Sequence, residues 1–431
     1  MATVDGVRVV TCDVPGQFMA SVVVLSTSPA IGEARERWGI NPLVLEMLGT
    51  ARNGRSRLID ELEALPARAV VVPDYAGSFV DIQVALPFLD EALDLIFDAV
   101  ARPDFTSMSS LRALQVAKQR VVTEARFPGT RARSHVQGLL FGAASRFAKP
   151  SSGDSSSVEG IDPDVVRAHS RHVLQPDNLV VVIVGDLASQ RADQRGADAS
   201  PAAQTSNAGG EPLLDSTDPM LLGRRLSNVN EPTSKQLDIL VAHRSPTMTS
   251  TEWPALQLAA AALASGTGGI LNAEMREKHG HTYGATAQFA SFGMSGLFSF
   301  SASASSHTGA RGIVGDYFAV MEEVARAGFS ASDHERAVSV LIGRATHNAS
   351  SPRWLSANIV RALANGLPVS WVDDHHEAVQ RVGVDEMSKA FTDQHAVARP
   401  SLTIVGSAQS FDAVGADLAA RHGFELVDEI E

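Results

Sequence analysis

Cysteine is almost absent from this chain: Cys12 is the only one in 431 residues. That excludes an intrachain disulfide and any multi-cysteine metal or iron–sulfur site. Positive charge is also short, with 36 Lys and Arg against 49 Asp and Glu and a formal net charge of −13. Phosphate binding needs clustered cations, so nucleic acid is not expected as the main partner. Long apolar runs are missing too; the longest bland stretch, Leu256 to Ala264, is too short to span a bilayer. The opening residues Met1-Ala-Thr-Val-Asp-Gly hold no basic segment followed by an apolar one, so no export signal is visible and a cytoplasmic location is expected. Histidine does not occur before His135, and no serine nucleophile elbow or other hydrolase signature is present.

What is there is ordinary in bulk and organised in detail. An apolar fraction of 44% and a charged fraction of 20% are those of a globular protein, and the length calls for two or more domains. The chain repeats itself. Arg102-Pro-Asp-Phe-Thr-Ser-Met-Ser-Ser-Leu-Arg-Ala-Leu and Arg326-Ala-Gly-Phe-Ser-Ala-Ser-Asp-His-Glu-Arg-Ala-Val align at an offset of 224, matching Phe105 with Phe329, Arg112 with Arg336 and Ala113 with Ala337. An amphipathic helix precedes each copy, with Leu89, Ala92, Leu93, Ile96, Phe97 and Val100 in the first and Val314, Phe318, Met321 and Val324 in the second. Each half closes on a buried-strand signature, Pro176 to Gly185 and Pro400 to Gly406.

Strands are also read where Val80, Ile82 and Val84 alternate with Asp81 and Gln83. A second alternation sets Phe298, Phe300, Ala302 and Ala304 against serines. Ala188 to Pro212 is rich in Ala, Ser, Gln, Asp and Gly without apolar periodicity, and 188–232 is expected to be a flexible linker. The expected organisation is α+β: 1–187 and 233–431 as two homologous units, each an antiparallel sheet packed with helices.

The most informative stretch is Leu271-Asn-Ala-Glu-Met-Arg-Glu-Lys-His-Gly-His-Thr-Tyr-Gly284. It reads as a helix end, a left-handed C′ glycine at Gly280, and a strand from Tyr283 with Ala285, Ala287 and Phe289 on one side. The reversal could bring Arg276 and Tyr283 together as a donor pair for a peptide carbonyl or a developing oxyanion. A solvated Arg and a packing Tyr would read the same way. Other candidates carry less. Ser265-Gly-Thr-Gly-Gly269 lacks the residues of a phosphate loop and reads as a tight turn between helices. Ser332-Asp-His-Glu335 fits a capping box. The pairs His375/His376, His279/His281 and His169/His172 read as surface rather than ligands.

With those residues in view, the chain resembles the insulinase/pitrilysin zinc peptidases, on the branch of bacterial and mitochondrial processing peptidases. The resemblance runs from about Val9 to about Gly406. Its most specific part is Gly268-Gly-Ile-Leu-Asn-Ala-Glu-Met-Arg-Glu-Lys-His-Gly-His-Thr-Tyr-Gly284, similar to the family's paired glycines followed by Leu-Arg-Glu-Lys-x-Gly-Leu-Thr-Tyr. Ala101-Arg-Pro-Asp-Phe105, Gly153-Asp, Pro176-Asp-Asn-Leu179 and Val184-Gly-Asp186 support it.

One departure is plain. Active members carry H-x-x-E-H on an early helix, with a distant Glu as the third zinc ligand. Here the matching stretch, Asn41 to Thr50, sets Pro42 and Glu46 at the two His positions and Leu45 at that of the base; Glu124 lies near the third. The resemblance therefore implies no zinc and no cofactor in this chain, and no activity alone. It implies a heterodimer with a homologous zinc-bearing subunit that cleaves peptides inside a clamshell of which this chain is half. Arg276 and Tyr283 would bind substrate and stabilise the oxyanion. The strand edge at Tyr283 to Phe289 would receive the peptide. The competing implication is a non-proteolytic scaffold or peptide-binding protein of the same fold.

Overall fold

The computed structural model describes residues 2–4, 6–50, 58–101, 103, 105, 107–188 and 224–427. Two six-stranded sheets organise them. The first comprises β1 (Ala2–Val4), β2 (Val7–Asp13), β3 (Met19–Ser26), β4 (Ala67–Val72), β5 (Phe79–Ala85) and β6 (Leu179–Gly185), in the order β1-β2-β6-β3-β5-β4. The second comprises β7 (Arg225–Asn230), β8 (Leu237–Ser245), β9 (Ala285–Ser291), β10 (Gly296–Ala304), β11 (Ser401–Gly406) and β12 (Glu425–Val427), in the order β12-β7-β11-β8-β10-β9. Apart from the outermost β1 and β12, the two orders are the same, so the sequence repeat is a repeat of topology. Of the stretch expected as linker, 189–223 lies outside the described residues, and Arg225–Asn230 is a strand.

The antiparallel expectation needs a correction. Most pairings are antiparallel, but β2 runs parallel to β6, and β7 runs parallel to both β11 and β12. Strands β6 and β11 return only after a long helical excursion, which lets them re-enter running with their neighbour; a tight hairpin would force the opposite sense. Burial on both faces explains the Val-rich composition of the centre. Every residue of β6 is buried, as is every residue of β3 after Met19.

Chain order alone would leave each helix with its own half. Compactness groups them differently. One unit holds 1–124, 150–210 and 346–372; the other holds 125–149, 211–345 and 373–431. Thus helix Pro352–Ala364 lies on the first sheet, where Ile359, Val360 and Leu363 pack with Val23, Leu25, Val182 and Val184. Its polar residues meet polar groups of β5 and β3: Arg353 pairs with Asp81 of β5 at 3.0 Å, and Ser356 bonds Ser21 of β3 at 2.7 Å, which also accepts from Gln83. Reciprocally, helix Pro128–Phe141 lies on the second sheet, with Ala132 against Val229 and Val405.

In the first unit, helix Ile40–Thr50 is fixed at its start by buried Glu33. Its carboxylate accepts from the amides of Gly39 (2.8 Å) and Asn41 (2.9 Å), two donors with no partner inside the helix. Asn41 in turn donates to the Ser28 carbonyl and faces His169 Nε2 at 2.8 Å. Gly39 (φ 94°) and Gly153 (φ 84°) let two backbones touch: a Cβ on Gly39 would lie 2.2 Å from the Ser152 oxygen, and one on Gly153 would lie 2.3 Å from the Trp38 oxygen. In the second unit, fully buried His243 stacks on Phe298 and bonds the Arg244 carbonyl. Burial pushes its imidazole down to about 4, against the pull of that carbonyl and helped by His395.

Two outcomes follow. Gly39→Ala combines positive-φ strain with a backbone clash, so its urea midpoint should fall by the equivalent of about 2–4 kcal/mol. His243 binds a proton in the unfolded chain below about 6.5 but not in the folded one until about 4. Its contribution is therefore full above 6.5 and is lost as pH falls from 6.5 towards 4, on the order of 3 kcal/mol in all. Unfolding titrations across that range should show a shallower acid loss in His243→Gln than in the unmodified protein.

Candidate functional site

The reversal around Gly280 is built from the inside outward. Helix Trp253–Ala264 ends, and the glycine run makes the tight turn its composition predicts: a Cβ on Gly269 would press into the Ala264 backbone at 2.8 Å. Buried Asn272 then fastens three segments. Its amide nitrogen donates to the carbonyls of Ala264 (3.1 Å), Gly266 (2.9 Å) and Ala285 (3.1 Å), and its oxygen accepts from the Ala285 amide (2.7 Å). Between those anchors, Ala273–Lys278 winds as a π-helix, a rare widened turn. Gly280 takes the left-handed conformation (φ 64°) expected of it, and the His281 amide closes on the Met275 carbonyl at 2.7 Å.

This frame presents Arg276 and Tyr283 outward. The Arg276 side chain is 45% exposed, with only a 3.4 Å contact to neighbouring Glu277, and Tyr283 is 93% exposed. The strand begins at Ala285 rather than Tyr283, so the tyrosine rides in the turn ahead of it. Its neighbour Thr282 is buried and bonds the Gly284 carbonyl at 3.0 Å. Exposure of a whole tyrosine beside such a tightly bonded backbone is not a packing role. Strand β9 itself forms the edge of its sheet.

The early helix contrasts with it. Leu45 and Glu46 are buried, and the Glu46 carboxylate forms an ion pair with Arg120 of helix Ser107–Ala125. Burial pushes the Arg120 guanidinium below its ordinary value, against the pull of Glu124's charge. Glu124 accepts a hydrogen bond from the Ser152 hydroxyl. The four positions aligned with a zinc motif therefore do not fit the metal: Pro42 has no donor atom, Leu45 offers an alkyl chain, Glu46 is neutralised by a guanidinium, and Glu124 stands without imidazoles.

Sequence reasoning also set aside a group that the fold assembles. His279 Nδ1 lies 3.0 Å from Asp316 Oδ2, and His281 Nε2 lies 3.8 Å from the same oxygen. Asp316 sits on helix His307–Ala327, too far along the chain for spacing to find it. Asn272 was missed for a different reason: a short polar residue inside an apolar helix end signals a buried clasp only once its neighbours are known. The expected Ser332/Glu335 capping box is replaced by one two residues earlier, where Ser330 Oγ accepts from the Asp333 amide at 3.1 Å and Asp333 Oδ2 accepts from the Ser330 amide at 3.2 Å. No helix among the described residues is long and apolar enough to cross a membrane.

Comparison with known proteins bears on the fold that carries these residues. Residues 160–341 match the family model described as the peptidase M16 inactive domain. A comparison with curated proteins finds no match. Among solved structures, a peptidase M16 inactive domain from Pseudomonas fluorescens is 20% identical, with a TM-score of 0.74, over 94% of this chain and 97% of that one. A protease from Helicobacter pylori is 13% identical, with a TM-score of 0.74, over 93% and 97%. The first half of the periplasmic protease PqqL from Escherichia coli is 12% identical, with a TM-score of 0.71, over 99% and 97%, and against the whole of PqqL this chain covers 50%. Residues 160–341 are thus similar in sequence to an M16 peptidase inactive domain, and the chain shares the fold of these structures over more than nine-tenths of its length.

Proposed function

We propose that this chain is the zinc-less subunit of a heterodimeric zinc endopeptidase that cleaves peptides, and that its contribution is the pair Arg276 and Tyr283. The observation that carries the reading is their presentation. Two donor side chains stand in solvent on a turn that Asn272 and Gly280 hold rigid, while the fold requires neither side chain. Chemistry needs such donors where negative charge develops on a scissile carbonyl. Preorganised donors stabilise that charge without reorganising during reaction.

The guanidinium would bind the carbonyl oxygen as a cation and the phenol would donate to it; neither can replace a metal-activated water. Zinc belongs, in this reading, to a homologous partner subunit, where it would activate that water and polarise the carbonyl. Donor loss at Pro42, Leu45 and Glu46, with Arg120 compensating Glu46, supports that division. So does the half-length match to PqqL, in which one polypeptide has room for two such chains. The terminal position of β9 in its sheet supports binding of an extended peptide by strand addition beyond Ala285, whose amide and carbonyl Asn272 already takes, and enclosure would favour short or unfolded substrates. A cytoplasmic complex is the setting this reading assumes.

Cleavage of a peptide library by this chain, by a zinc-motif homologue, and by their mixture is the direct test. Activity should appear in the mixture alone and vanish with a chelator. A stable but inactive mixture would instead favour the scaffold reading. In the active mixture, Arg276→Ala and Tyr283→Phe should each lower kcat by on the order of 10²–10³ while sedimentation shows unchanged assembly. Unaltered turnover in both would reduce the pair to surface residues.

A further inference from the structure

We propose that His279, His281 and Asp316 form a binding site for one divalent transition-metal ion, zinc by preference, that locks the Gly280 turn. The three ligand atoms already converge, all lying within 4.8 Å of one another. Tetrahedral zinc with bonds of about 2.1 Å holds its ligand atoms roughly 3.4 Å apart. The His279–Asp316 separation of 3.0 Å and the His281–Asp316 separation of 3.8 Å bracket that spacing, so small side-chain rotations suffice. Two imidazoles and a carboxylate with a position left for water are a donor set suited to zinc.

Three features mark a built arrangement rather than a chance ion pair. Gly312 leaves a seat for the His281 ring: a Cβ there would lie 2.2 Å from Nε2. Asp316, only 15% exposed, stands one turn further along the same long helix, so seat and carboxylate are fixed together. On the far side of the His279 ring, the Glu274 carboxylate, which accepts from Lys278 at 2.7 Å, lies 3.8 Å from Nε2, too far for a hydrogen bond but close enough to set a negative charge behind the ring. At 3.8 Å His281 is beyond hydrogen-bond reach of Asp316; a cation between them turns that gap into two bonds.

The ion would tie both sides of Gly280 to helix His307–Ala327 and so stiffen the segment that carries Tyr283. Only this last consequence rests on the peptidase reading; the site itself does not.

The test is titration of the full chain, first stripped with a chelator, with zinc chloride in a calorimeter and with cobalt(II) in a spectrophotometer. One ion should bind per chain. His281→Ala and Asp316→Asn, shown by melting curves to be folded, should each weaken binding at least tenfold, whereas His375→Ala should not. Absence of saturable binding, or affinity in both site variants unchanged from the unmodified chain, overturns the proposal. If the variants fail to fold, the unmodified chain decides: intense tetrahedral cobalt bands support the site, and a weak aquo-like spectrum overturns it. Either failure leaves the Arg276/Tyr283 reading to be judged by the mixture assay alone.

Discussion

One side-chain amide governs the turn that carries Arg276 and Tyr283. Asn272 satisfies carbonyls from the end of one helix, from the glycine turn and from the first residue of β9, and takes the Ala285 amide in return. Buried amides are costly unless paired, and this one is paired on both its nitrogen and its oxygen. The turn between Asn272 and Ala285 therefore has its two ends fixed by the same residue. Everything that segment presents, including Arg276, His279, His281 and Tyr283, inherits that rigidity. A π-helical turn and a left-handed glycine are affordable there because the anchors over-determine the backbone.

The two repeats have diverged in opposite directions from one topology. In the first, a buried helix start is secured by Glu33, and the helix interior holds Leu45 and an ion pair between Glu46 and Arg120. A guanidinium so placed neutralises the carboxylate that a metal would otherwise need. In the second, polar groups are pushed outward onto a stiff turn. Repeats that share a strand order can differ this much because the order is set by the fully buried central strands, while the candidate site residues lie on helices and turns around them.

Much of the fold was legible because it rests on local periodicity. Alternation at Phe298, Phe300, Ala302 and Ala304 marks β10, and all four are buried. Gly280 was readable as a left-handed stop because only glycine occupies that region without strain. Other features were not legible, for physical reasons. Parallel pairing of β2 with β6 is decided by how the chain returns across the sheet, not by either strand's own residues. The placement of helix Pro352–Ala364 on the first sheet, and of Pro128–Phe141 on the second, follows from which apolar faces fit, and both faces look alike in sequence.

The sequence by itself determined the α+β class, the duplicated plan, side chains without metal-donor atoms at Pro42 and Leu45, and the candidacy of Arg276 and Tyr283. Each depends on residue identity or on short-range spacing. Tertiary structure alone decided the exchange of helices between units, the Glu46–Arg120 pair, and the meeting of His279 and His281 with Asp316. Those depend on contacts between segments distant along the chain, and a side chain carries no mark of the partner that folding will bring to it.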